Sequence, residues 1–137
     1  MGDLKKIVIE IIPHKDQRYE TCGDWQLDEQ GVMQVKVSDF GLEIENFMVA
    51  IHEVVELILL RHRGITDKDI DKFDFEFEER VKRGEAGRND EPGFASDSPY
   101  IQEHTLATAV ELQMCSLAKI NWNEYSAKIE GLFDESE

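Results

Sequence analysis

The spacing of hydrophobic residues changes period near residue 41. Before it, apolar and polar positions alternate. Residues 6–12 (KIVIEII) are rich in β-branched types and stop at Pro13, and Trp25–Leu27 and Val32–Val37 flank the turn DEQG. Met33, Val35 and Val37 alternate with Gln34 and Lys36, the period-two signature of a strand with one buried face. The pattern predicts a first strand and then a hairpin in which Gly31 supplies a positive φ. Beyond residue 41 the period becomes helical. Glu43–Arg63 reads as a buried helix with basic residues near its C-terminus and Gly64 as its cap. Thr66 reads as the N-cap of a second helix, with Asp67 and Asp69 in the first turn and Ile70, Phe73, Phe77 and Val81 on one face. The glycine-rich segment 84–97 reads as a crossover rather than a lid. Ser98 and Pro99 open a long helix over 100–119, with Pro99 at its first position, and Trp122, Tyr125, Ile129 and Phe133 mark a short last one that closes the core. The expectation is one α+β domain over residues 1–137. Residues 1–40 form a small antiparallel sheet, 41–133 a bundle of about four helices, and 134–137 an acidic frayed tail.

The central helix carries an anomaly. In FMVAIHEVVELILL (47–60) the only polar residues are His52, Glu53 and Glu56. At about 100° per residue they share one arc of roughly 100°. Burying a carboxylate is costly unless it is paired, protonated or bound to a metal. The spacing is that of the zinc-peptidase motif H-E-x-x-H with Glu56 in place of the second histidine. The plainer alternative is that the three groups edge toward solvent or pair with Arg61, Arg63 or other cations.

A second polar stripe follows on the long later helix, where His104, Thr108, Glu111 and Cys115 fall within about 40° of one another. If it faces the first, His52, Glu56 and His104 supply a His₂Glu ligand set, with Glu111 as a further ligand or as the carboxylate that orients His104. Glu53 then stays free as a base: the metal lowers the pKa of a bound water, Glu53 takes its proton, and the hydroxide attacks a carbonyl polarised by the same ion. Zinc is favoured as the divalent metal over manganese, iron or magnesium. Thr108 and Cys115 read most simply as packing residues.

Composition narrows the setting. The chain has 137 residues, is 41% hydrophobic and carries a formal charge of −15, which suits one folded domain and disfavours direct nucleic-acid binding. Cys22 and Cys115 are the only cysteines and form no C-x-x-C pattern, so neither a disulfide framework nor a cysteine zinc cluster is indicated, and a reducing cytoplasm fits. The apolar run after Lys5-Lys6 is broken by Glu10 and is too short for a signal core or a membrane span, so the mature chain is expected to begin near Met1.

The landmarks IIPHKDQRYETCGDW, VSDFG, AIHEVVE, HRGI, FDFEFE, EPG with SPYIQEH, LATAVE and a closing W-x-x-Y together resemble an uncharacterised family of tailed phages and prophages over nearly the whole chain. That resemblance implies a phage-type protein of bacterial cytoplasm and little about chemistry. More distantly the chain is similar to the minimal zincin architecture. The likeness implies that His52 and Glu53 are the first ligand and the base, and that the strand Gln34–Ser38 is an edge where an extended peptide substrate docks. The leading expectation is a metal-binding protein, a zincin-like hydrolase of peptide or amide bonds. Two alternatives stand beside it. One is a magnesium-dependent nucleotide pyrophosphohydrolase, because Glu53-x-x-Glu56 and Glu76-x-x-Glu79 resemble the paired carboxylates of that family. The other is an acidic interaction protein or DNA mimic without catalysis.

Overall fold

A computed structural model describes residues 3–87 and 90–134. Strands β1 (Ile7–Ile12), β2 (Gly23–Leu27) and β3 (Met33–Ser38) form a sheet in the order β1-β3-β2. The β2–β3 hairpin is antiparallel as expected, and Gly31 takes the positive φ its turn requires, at 79°. The Asp28 Oδ1 atom accepts the Gln30 and Val32 amides and closes that turn. β1 departs from expectation by pairing parallel to β3, Ile7 opposite Met33 and Ile12 opposite Ser38, so the sheet is mixed. The connection over residues 13–22 carries the chain past the end of β3 from one edge to the other. The side chains of His14 and Gln17 pin it there through the Ser38 hydroxyl, at 2.8 and 3.1 Å. A parallel neighbour needs such a crossing because no two-residue hairpin can make it.

That order overturns one expectation. Residues 34–38 belong to the central strand, hydrogen-bonded on both sides, and offer no edge to a peptide. Hydrogen-bond capacity along β3 is already filled by β1 and β2.

Four helices follow: α1 (Glu43–His62), α2 (Asp67–Lys82), α3 (Ile101–Ala118) and α4 (Trp122–Asp134). Gly64, at φ 80°, terminates α1, and the Ile65 amide returns to the Leu60 carbonyl. Thr66 and Asp69 form a reciprocal capping box at the start of α2. Pro99 lies outside α3 rather than at its first position, since the Ser98 hydroxyl takes the Tyr100 amide and the helix begins two residues later, at Ile101. The side chain of Phe133 and the tail residues 135–137 lie outside the described residues.

The inward face of β3 (Met33, Val35, Val37) meets Met48, Val49, Leu57 and Leu60 of α1, all 3% exposed or less. Ion pairs then fix the elements to one another. Arg18 bridges Asp24 of β2 to Asp71 of α2, Arg63 at the end of α1 holds Glu103 of α3, and Lys128 of α4 holds Glu45 of α1. Among the described residues no helix is long and apolar enough to cross a membrane.

Candidate metal centre

α1 has the sheet on one side and α3 on another, so its polar arc cannot reach bulk water. His52, Glu53 and Glu56 are 6, 8 and 4% exposed, which excludes the reading in which they edge into solvent. α3 runs antiparallel to α1 and brings His104 to them. His52 Nε2 lies 3.1 Å and His104 Nδ1 2.9 Å from the same oxygen, Glu56 Oε2, and the two ring nitrogens are 3.1 Å apart. These three side chains form a group that could hold a metal ion. In a tetrahedral zinc site, bonds of 2.0–2.1 Å separate neighbouring donors by about 3.3 Å. The observed triangle is only a few tenths of an ångström smaller, so the donor set fits without rearrangement of either helix.

Each imidazole is also anchored from behind. His52 Nδ1 donates to Glu111 Oε1, and Tyr125 of α4 donates its hydroxyl to the other Glu111 oxygen at 2.5 Å. His104 Nε2 donates to Glu91 at 3.0 Å, and the Phe94 ring packs edge-on against His104 at 4.6 Å. Glu111 therefore stands outside the triad: it orients a histidine, and that histidine is His52 rather than His104. Carboxylates in this position fix the tautomer and raise the basicity of a ligating imidazole. Thr108 donates back to the His104 carbonyl, and Cys115 is buried packing, as expected.

The triad opens into a cavity of about 740 Å³ whose other walls include Tyr19, Trp25, Phe77, Tyr100 and Trp122. Glu53 lines the same cavity and has no hydrogen-bond partner among the described residues. Its carboxyl lies against Gly23 of β2, where a Cβ would fall 2.4 Å from Oε1. Gly93 likewise makes room for His104, with a Cβ there falling 2.4 Å from the ring. Above the cavity Asp74 accepts both the Tyr19 and Tyr100 hydroxyls, at 2.9 and 2.6 Å.

Titration follows from this packing. Burial, reinforced by the charge of Glu56, pushes the Glu53 carboxyl up to about 8. Burial alone would raise Glu56 as well, but hydrogen bonds from His104 and His52 outweigh it and hold that carboxyl at about 2. For His104 burial favours the neutral ring, yet its bonds to Glu56 and Glu91 lift it to about 9; His52 rises in the same way through Glu111 and Glu56. His52 Nε2 and His104 Nδ1 thus both favour the protonated form facing Glu56, and a cation held in the triangle would have to take the place of those protons.

Glu91, Phe94, Tyr125, Gly23 and Gly93 were not singled out from the sequence as site residues. EPG within an otherwise plain connection was the available signal for two of them, Glu91 and Gly93. The second carboxylate pair of the magnesium reading, Glu76 and Glu79, is exposed on α2 and does not line the cavity.

Fold and site together define an α+β domain with a buried His–Glu–His cluster between two antiparallel helices. No protein-family model, curated protein or solved structure matches the chain.

Proposed function

We propose that this chain is a phage-type protein and a zinc-dependent hydrolase of peptide or amide bonds, with His52, Glu56 and His104 as ligands and Glu53 as general base. The observation that carries the reading is the convergence of three ligand atoms within 3.1 Å of one another at the wall of a cavity that also holds an unpartnered carboxyl. A divalent cation in the triangle would supply Lewis acidity, polarising a carbonyl and acidifying water. The chain's own residues do the rest. Glu111 and Glu91 hold the imidazoles in one orientation. Glu53, pushed up to about 8 by burial and Glu56 against the opposing charges of His52 and His104, lies close to physiological pH, where a base works best. The aromatic walls exclude water around it.

Metal analysis of protein purified without chelator or a nickel column tests the reading. About one equivalent of zinc is expected, lost in His52→Ala and His104→Ala. Glu53→Gln should retain the metal and lose hydrolysis of a peptide library by at least about a hundredfold. Metal-free protein, or full occupancy in His52→Ala, refutes it.

One observation favours a second reading. Every charge in the triad is already matched by hydrogen bonds to Glu56, Glu91 and Glu111, as an acidic interaction protein with an internally paired polar core requires. That reading has no role for the unpartnered Glu53, whereas a catalytic site does.

A further inference from the structure

The outer side of the α1–α3 pair carries an apolar face that remains exposed among the described residues. Along α1, Ile44, Phe47, Ile51 and Ile58 are 44, 42, 38 and 45% exposed, and with half-buried Val54 and Val55 they fall within an arc of about 100°. No charged residue enters that arc between Ile44 and Ile58, in a chain with 30 acidic residues among 137. Along α3, Leu106 and Leu117, 50 and 88% exposed, share an arc of about 40° with Val110. The α3 stripe lies about 100° or more around its helix from the side chains that line the cavity, and the centre of the α1 stripe lies about 110° from His52. The antiparallel register, fixed where Arg63 meets Glu103 and His52 meets Glu111, sets Ile58 level with Leu106, Val54 with Val110 and Phe47 with Leu117. The stripes therefore make one face.

Six of its residues are 38–88% exposed, an exposed surface on the order of 600 Å², at the upper end of the about 300–600 Å² of a typical monomer's largest apolar patch. It approaches the ~800 Å² that each partner gives to a standard interface. Its occupant can be read from the ends of α1. The stripe begins at acidic Glu43 and ends at basic Arg61 and His62. We propose that this face pairs with a second copy of the chain about a two-fold axis perpendicular to α1. Such an axis sets the two α1 helices antiparallel, brings each Glu43 to the partner's basic end and places Phe47 opposite the partner's Ile58. An isologous interface requires this self-complementarity. A net charge of −15 opposes contact between two copies through most other faces.

Sedimentation velocity over a micromolar to submillimolar dilution series tests the pairing. The full chain is expected to sediment as a dimer that dissociates on dilution. Ile51→Glu and Leu117→Glu, both at exposed positions, should each raise the dissociation constant at least tenfold with an unchanged far-UV circular dichroism spectrum. Glu43→Arg should weaken the dimer. A monomer throughout the series overturns the proposal, as does a dimer that Ile51→Glu leaves intact.

Discussion

His52 and His104 each turn one ring nitrogen to Glu56 and the other to a different carboxylate, so neither ring can flip without losing an ion pair. Orientation at this scale is imposed from outside the ligand triad. Glu111→Gln keeps the shape of that support but removes its charge. Isothermal titration with zinc should show a 10–100-fold loss of affinity for this variant, the usual cost of removing a carboxylate behind a ligating imidazole. Tyr125→Phe should show a smaller loss in the same direction, because it removes one donor to Glu111. Unchanged affinity in both would mean that the support is idle. The candidate site residues of α1 were legible in the sequence: His52, Glu53 and Glu56 are conspicuous in an apolar helix, and helical period alone puts them on one arc. Glu91 was not, because it lies on an irregular connection where no period assigns a side chain to a face.

Between elements, two glycines set how closely backbone approaches the site. Gly23 lets β2 run against the Glu53 carboxyl, and Gly93 lets the short 3-10 turn Pro92–Phe94 rest on the His104 ring. The two neighbours differ in freedom. Gly93→Ala presses on a rigid ring held at both nitrogens, so metal affinity should fall in the same titration. Gly23→Ala presses on Glu53 alone, so metal content should stay near one equivalent while hydrolysis is lost. Loss of metal from Gly23→Ala, or none from Gly93→Ala, would contradict the assignment of roles. Elements were legible where period and caps agree, as in α2, whose Thr66–Asp69 box and Ile70–Phe73–Phe77 face both form. Pairing was not. Alternation identifies β1 as a strand, but nothing local encodes which neighbour it joins or in which direction, and the Ser38 anchor for the crossing segment exists only once β3 is folded.

Across the whole molecule Asp74 ties three parts of the chain together: its own helix α2, Tyr19 from the connection after β1, and Tyr100 at the start of α3. Burial outweighs the two tyrosine hydrogen bonds and raises its carboxyl from the ordinary 3.8 to about 7. The folded state therefore favours the protonated acid. Its contribution to stability is complete below about pH 3.8 and is lost as pH rises through about 7, at up to about 1.4 kcal/mol per pH unit. Asp74→Asn removes this dependence. The thermal midpoint of the variant relative to the parent should accordingly rise between about pH 4.5 and about pH 8, and a gap that stays constant would exclude the titration. The sequence by itself determined the class of structure and the candidate chemistry: a period change near residue 41 that separates strands from helices, and three polar groups that an apolar helix must account for. Both follow from local geometry, since side-chain direction repeats with the backbone. Tertiary structure decided the strand order, the meeting of His104 with His52 and Glu56, the demotion of Glu111 to a support and the recruitment of Glu91. Those depend on contacts between residues far apart in the chain, whose distances are set by packing and by no periodicity along it.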